Sequence, residues 1–132
     1  MKTFKSELRV RYAETDAAGI VYYSNFFVYF EVGKMDMFRE LNLPYDLRLP
    51  MVEAHCDYKK PVRFDDLLEV HTFVSELYPK GFRVDSKVYL KYGKNKTIVA
   101  KGYTKHLTTD MHRKVCKVPK KFIEAFGSDH II

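Results

Sequence analysis

Residues 24–41 read SNFFVYFEVGKMDMFREL, and this stretch decides the fold. Phe26, Phe30, Gly33, Met37 and Leu41 step by four, three, four and four, which places them on one stripe of a helix. Phe27 and Phe38 widen that stripe. Ser24 and Asn25 suit the start of a helix, and Pro44 forbids its continuation. The spacing predicts a helix over 25–41, roughly 25 Å long at about 1.5 Å per residue. So many aromatic residues on one element predict deep burial.

The flanking sequence reads as strands. Residues 4–12 alternate, with Phe4, Ser6, Leu8, Val10 and Tyr12 on one side and Lys5, Glu7, Arg9 and Arg11 on the other. In 51–58, Val52, Ala54, Cys56 and Tyr58 alternate with Glu53, His55 and Asp57, and Pro61 follows the run. Residues 67–78 are rich in Leu, Val, Phe and Thr. Residues 82–92 alternate again, and Gly93-Lys94-Asn95-Lys96 reads as a hairpin turn into a long strand at 97–109. A turn at 110–114, a short strand at 115–118 and a helix opening at Pro119 and running to 126 complete the chain. The order is β-α-β-β-β-β with a short tail. Its simplest packing is α+β, a curved antiparallel sheet of five or more strands around one helix. One sheet and one helix bury little core for 132 residues. The leftover apolar face predicts a dimer joined through a sheet edge.

Composition sets limits. A length of 132 residues suits one domain spanning 1–132, and 46% hydrophobic content with ten Phe and ten Tyr excludes a disordered chain. Mean hydropathy is −0.33, and no run approaches the roughly 20 apolar residues a membrane helix needs. The opening MKTFKSELRVRY holds no apolar run behind its lysines, so no secretory signal peptide is expected. Cys56 and Cys116 have neither metal nor redox spacing, and a reduced, cytoplasmic protein is the expectation. Net charge is +6, but Lys and Arg are spread along the chain rather than blocked, so nucleic acid is not the expected partner. Phosphate-rich small molecules remain compatible with that charge.

The chemistry concentrates in the loop YAETDAAGIVYYSN at 12–25. Asp16 stands in a Gly/Ala setting just before a helix N-terminus. Such a terminus offers unpaired N–H groups that can hold a polarised carbonyl oxygen. A nearby carboxylate can then attack that carbonyl or activate water. Asp16 could equally bond its own turn, as Asp often does. Lys59, Lys60 and Arg63 flank Pro61 and form a basic loop able to meet phosphate. Lys91, Lys94 and Lys96 form a second basic cluster that reads as solvated surface. Glu31, a carboxylate on the apolar helix, is a further site candidate. His55, Cys56 and Asp57 are consecutive, so on a strand they cannot chelate one metal. A site built from His106, Asp110 and His112 is equally disfavoured, and no metal or cofactor is expected. Cys56 reads as a core thiol rather than a nucleophile.

The block RVRYAETDAAGIVYYSNFFVYFE at 9–31 resembles the signature of the hot-dog-fold acyl-CoA thioesterases, the 4-hydroxybenzoyl-CoA type with its Tol-Pal-associated relatives. Tyr12, Glu14-Thr15-Asp16, Gly19, Val21-Tyr22, Asn25-Phe26 and Phe30-Glu31 carry the likeness. A second block, VEAHCDYKKPVRFDDLLEV at 52–70, supports it. The resemblance implies a long helix wrapped by an antiparallel sheet, with dimers and often tetramers whose sites lie at the dimer interface. It implies hydrolysis of acyl-CoA, with Asp16 as the carboxylate and the backbone N–H of Tyr23 polarising the carbonyl. CoA is then part of the substrate, not a cofactor. Gly19, Val21, Tyr22, Asn25, Glu31, Lys59, Lys60 and Arg63 are the expected substrate contacts. Two departures bear on the acyl group: Tyr23 where many Tol-Pal-associated relatives carry His, and Glu14 where Asp is frequent. Competing expectations are a thioesterase acting on acyl carrier protein through the same Asp16, and a non-catalytic CoA-binding or scaffold protein.

Overall fold

The computed structural model describes residues 2–44 and 49–127. It holds five strands and two helices: β1 (Phe4–Arg9), α1 (Asn25–Glu40), β2 (Met51–Tyr58), β3 (Leu67–Tyr78), β4 (Gly81–Tyr92), β5 (Asn95–Leu107) and α2 (Lys120–Phe126). The strands form one antiparallel sheet in the order β1-β3-β4-β5-β2. The expected helix and sheet are therefore both present. The β4–β5 hairpin turns through Gly93 at φ +61°, a left-handed conformation that favours glycine.

Helix α1 lies against β3, β1 and β4, and buries Phe26, Tyr29, Phe30, Gly33, Met37 and Phe38. Gly33 marks the closest approach. A Cβ there would stand 2.2 Å from Thr72 Oγ1 and 2.9 Å from Val70 Cγ1, so only glycine lets the helix lie this near β3. The core divides into two apolar clusters. One surrounds the first turns of α1 with Val10, Val21, Phe26, Tyr29, Phe30, Val62 and Val99. The other surrounds its last turns with Met37, Phe38, Phe82, Phe122 and Phe126. In the second cluster Phe82 lies 5.1 Å from Phe126 and 6.3 Å from Phe122, centroid to centroid.

Four sequence expectations are corrected. First, β1 ends at Arg9, and Tyr12 sits in a 3₁₀ turn at Tyr12–Glu14 with 77% of its surface exposed, not on the buried strand face. Second, β2 forms where expected, but it is an edge strand that meets α1 only through its first turns, Tyr58 lying 5.4 Å from the Phe26 ring, so Val52, Ala54 and Tyr58 are exposed and Cys56 only half-buried. Third, residues 115–118 form a single bridge, Thr109 to Val115, because Cys116 N–H and Val118 N–H turn to Thr108 and Pro79 instead of a neighbouring strand. Fourth, Leu41 and Pro119 stand just outside α1 and α2 as caps. Proline lacks the N–H, so its place at the edge of a helix follows from its chemistry.

Candidate active site

The loop between β1 and α1 is built around carboxylates. Asp16 Oδ1 accepts from the N–H of Ala18 at 2.8 Å and of Ile20 at 3.3 Å, while its own N–H donates to Ile20 O. Gly19, at φ +81°, closes this tight turn and donates to Asp16 O. The turn-bonding role read as an alternative is thus real. It occupies Oδ1 and leaves Oδ2 outside these bonds. Thr15 and Val21 bridge the base of the turn, and buried Val21 donates to Val62 O at 2.9 Å.

The start of α1 follows at once. Asn25, Phe26 and Phe27 donate to the carbonyls of Tyr22, Tyr23 and Ser24, so the helical winding already begins before Asn25. Ser24 adopts a helical conformation and gives no side-chain cap. The orphan donors therefore move back by two residues. Among the described residues, the N–H groups of Tyr23 and Ser24 have no hydrogen-bond partner. Tyr23 O accepts from the Tyr58 hydroxyl at 3.0 Å, which ties β2 to this turn. Burial first, then Cys56, pushes the Tyr58 hydroxyl up to about 12, so it stays a donor at neutral pH.

A groove of about 390 Å³ runs along this junction, lined by Ile20, Val21, Tyr23, Phe26, Tyr58, Lys59, Lys60 and Pro61. The basic loop reaches it because Lys59 and Lys60 both donate backbone N–H to Val99 O, while Val62 and Arg63 pair with Val21 and Ile20. The structure thus gathers Asp16, Gly19, Val21, Tyr22, Tyr23, Asn25, Lys59, Lys60 and Arg63 in one region. The Tyr22 ring lies beside that of Tyr23, tilted by 39° with centroids 4.5 Å apart. Asn25 turns its amide inward and donates to Glu14 O at 2.9 Å.

Glu31 lies apart. It is exposed six residues into the helix and borders a smaller groove of about 130 Å³ with Phe27, Val28, Phe30, Lys34, Met51 and Thr104. Lys91 and Lys96 of the second basic cluster are held in ion pairs with Glu69, and Lys91 also with Glu7. Burial pushes the Cys56 thiol up to about 11, so it is protonated at neutral pH and a poor nucleophile.

Sequence reasoning missed three polar residues here. Glu14 is 6% exposed and takes bonds from the Arg11 N–H, the Arg11 guanidinium and the Tyr29 hydroxyl, each at 2.9 Å. Tyr29 and Tyr58 complete the set. An Arg-x-x-Glu spacing was visible, but nothing local signals that Glu14 would be buried against a helix fifteen residues on.

Comparison with known proteins shows the family. The sequence model of the thioesterase-like superfamily matches residues 10–126. A protein of Aquifex aeolicus, named provisionally as an esterase, is 37% identical over 88% of this chain and 91% of its own. The acyl-CoA thioesterase YbgC of Haemophilus influenzae is 30% identical over 93% of each chain. A solved 4-hydroxybenzoyl-CoA thioesterase superposes with a TM-score of 0.86 over 96% of this chain and 100% of that one; at 20% identity it speaks for the fold, the hot dog of helix and wrapped sheet.

Proposed function

The chain belongs to the thioesterase-like superfamily, and from that premise we propose that it hydrolyses acyl-CoA thioesters to the free acid and CoA through Asp16 and the N–H of Tyr23. One observation carries this reading. A carboxylate with one oxygen pinned by its own turn stands seven residues before Tyr23, and at the helix start the Tyr23 and Ser24 N–H groups are unpartnered. The thioester oxygen takes the Tyr23 N–H, where positive partial charge stabilises the developing oxyanion. Asp16 Oδ2 then either attacks the carbonyl carbon, giving an anhydride that water opens, or takes a proton from an attacking water. Both routes expel CoA as the thiolate and consume one water per turnover.

Gly19 and Val21 hold the turn, and Tyr22, Tyr23 and Asn25 form the wall beside the carbonyl. Lys59, Lys60 and Arg63 meet the phosphates of CoA. Glu31 borders the separate groove between α1 and β2, the place for the distal end of an acyl group. The exposed edge strand β2, with Met51, Val52 and Tyr58 about half exposed, is the seam of a homodimer that closes the site. The chemistry needs water and no further cofactor. Cytoplasmic residence fits this substrate, and no helix among the described residues is long and apolar enough to cross a membrane.

The test is free CoA release, followed by chromatography, from benzoyl-, short-chain and long-chain acyl-CoA, with wild type beside Asp16→Asn. The amide keeps an oxygen for the Ala18 and Ile20 N–H groups, so the fold should hold. Turnover should fall about 10²–10⁴-fold in the variant. Full turnover in Asp16→Asn would overturn the assignment. Folded wild type with no turnover on any ester would move the substrate to acyl carrier protein, or the role to binding.

A further inference from the structure

Glu14 does no chemistry in the scheme above, yet it is a buried carboxylate at the centre of the site. We infer that Glu14 is a positioning residue that sets the helix N-terminus in register with Asp16. This rests on the thioesterase reading.

Burying a carboxylate is unfavourable unless donors replace its lost water. Glu14 has three. Its Oε1 accepts from the Arg11 N–H and from the Tyr29 hydroxyl, and its Oε2 accepts from Arg11 Nε. Burial alone would raise its pKa. The Arg11 N–H, the Tyr29 hydroxyl and the Arg11 guanidinium outweigh that and hold it below the ordinary value, so it stays ionised. The Glu14 carbonyl is used as well: it accepts from Tyr22 N–H and from the Asn25 amide, both at 2.9 Å.

One residue therefore ties three pieces together. Arg11 comes from the exit of β1. Tyr22 and Asn25 are the last loop residue before the oxyanion donors and the first residue of α1. Tyr29 lies one turn further, 1% exposed, with its ring 5.5 Å from Phe26. Asp16 is only two residues from Glu14, and the Thr15–Val21 bridge carries the restraint across the loop. The carbonyl ties the loop to the start of α1, and the side chain, through the Tyr29 hydroxyl and Arg11, fixes how the first turn of α1 sits against the loop that bears Asp16. Stability alone does not call for an ionic group here, because the Arg11 side chain is 75% exposed and an ion pair open to solvent contributes little. Geometry does call for it, since a misplacement of about 1 Å can slow catalysis on the order of 10²-fold.

The experiment compares Glu14→Gln, Glu14→Asp, Tyr29→Phe and the Glu14→Gln/Tyr29→Phe double variant, with Asp16→Asn as reference. It reads kcat and KM on the best acyl-CoA, Kd for a non-hydrolysable thioether analogue of that ester, and Tm. Glu14→Gln should lower kcat about 10–10²-fold while the thioether Kd stays within about threefold. Tyr29→Phe should shift kcat the same way by less, and the double variant should be no slower than Glu14→Gln, since the two share one bond. Glu14→Asp, which keeps the charge for Arg11, should recover part of the loss. Should Glu14→Gln fail to fold, Tyr29→Phe decides by the same split of kcat from Kd. Wild-type kcat in both single variants, with Asp16→Asn inactive, would overturn the inference alone. So would parallel losses of kcat, analogue binding and Tm. Activity retained in Asp16→Asn would instead overturn the catalytic reading beneath it.

Discussion

The two ends of α1 are finished in opposite ways. At the C-terminal end, Asn42 takes φ +57° and donates to Arg39 O, and Leu43 donates to Phe38 O. That is a full Schellman closure, and it pairs the carbonyls of Phe38 and Arg39. At the N-terminal end, Ser24 offers no cap and the Tyr23 and Ser24 N–H groups are left open. The packing follows the same division. Phe38, Phe82, Phe122 and Phe126 seal the closed end, whereas the apolar cluster at the open one also takes in the ionic and hydroxyl groups of Arg11, Glu14 and Tyr29. A chain that can close one end fully and leaves the other open beside a carboxylate has a use for unpaired donors. The closed end supplies stability, and the open end is free to bind an oxygen.

The sharpest test of that division is Phe82→Ala. Phe82 is fully buried among Phe38, Phe122, Phe126 and the His106 ring. Its removal should cost about 3–5 kcal/mol and lower Tm by about 10–20 °C. Turnover per folded molecule should stay at the wild-type value, because the open end is untouched. Thermal melts with kcat at low temperature check both halves. A kcat that falls with Tm would break the division.

Gly33→Ala lies midway and should cross it. The new Cβ meets Thr72 Oγ1 and Val70 Cγ1, so the helix must move off β3. Overpacking of this kind should cost about 1–3 kcal/mol. A helix shifted as a unit carries its open end with it, so kcat should drop too, in contrast to Phe82→Ala. The same pair of measurements reads the outcome.

How far the sequence foretold these two ends depends on the range of each interaction. The helix and β3, β4 and β5 were legible because their periodicity is local and strong. The inward face of β2 was not, because its exposure follows from being last in the sheet order, which alternation cannot reveal. At the site, Asp16, Gly19 and Tyr23 could be proposed together from one loop and a resemblance. Lys59, Lys60 and Arg63 were legible as a basic loop, but the bonds of Lys59 and Lys60 to Val99 and the pairing of Arg63 with Ile20 came only with the fold. Glu14 with Tyr29 and Tyr58 with Tyr23 were illegible, since those contacts span 15 and 35 residues.

Away from both ends, the outer face of the sheet should govern acid sensitivity. The His71 ring, Lys96 and Lys91 hold Glu69 down to about 2 from an ordinary 4.5, His71 Nε2 lying 2.6 Å from its carboxylate. A depressed carboxylate favours the folded state above its unfolded value, and that contribution is lost as the group protonates. Stability should therefore decline as pH falls from 4.5 towards about 2. Glu69→Gln should be less stable at neutral pH and flatter across that window. Denaturant midpoints against pH check it; an unchanged slope would place the acid-sensitive group elsewhere, with Glu14 at the open end the next to test.

The smallest effect expected is also the most specific to the open end. Lys60 and Lys94 carry the same charge on exposed backbone, yet only Lys60 borders the groove beside Tyr23. Charge reversal at an exposed site acts weakly and through solvent, so Lys60→Glu should raise KM for acyl-CoA several-fold, about 3–10, with kcat little changed. The rise should shrink with added salt, because the Debye length falls from about 10 Å at 0.1 M to about 3 Å at 1 M. Lys94→Glu, on the β4–β5 turn, should leave KM at the wild-type value. Equal effects from both variants would mean that net charge alone attracts the substrate. A salt-sensitive rise confined to Lys60 would place the phosphates of CoA beside the helix end that has donors to spare.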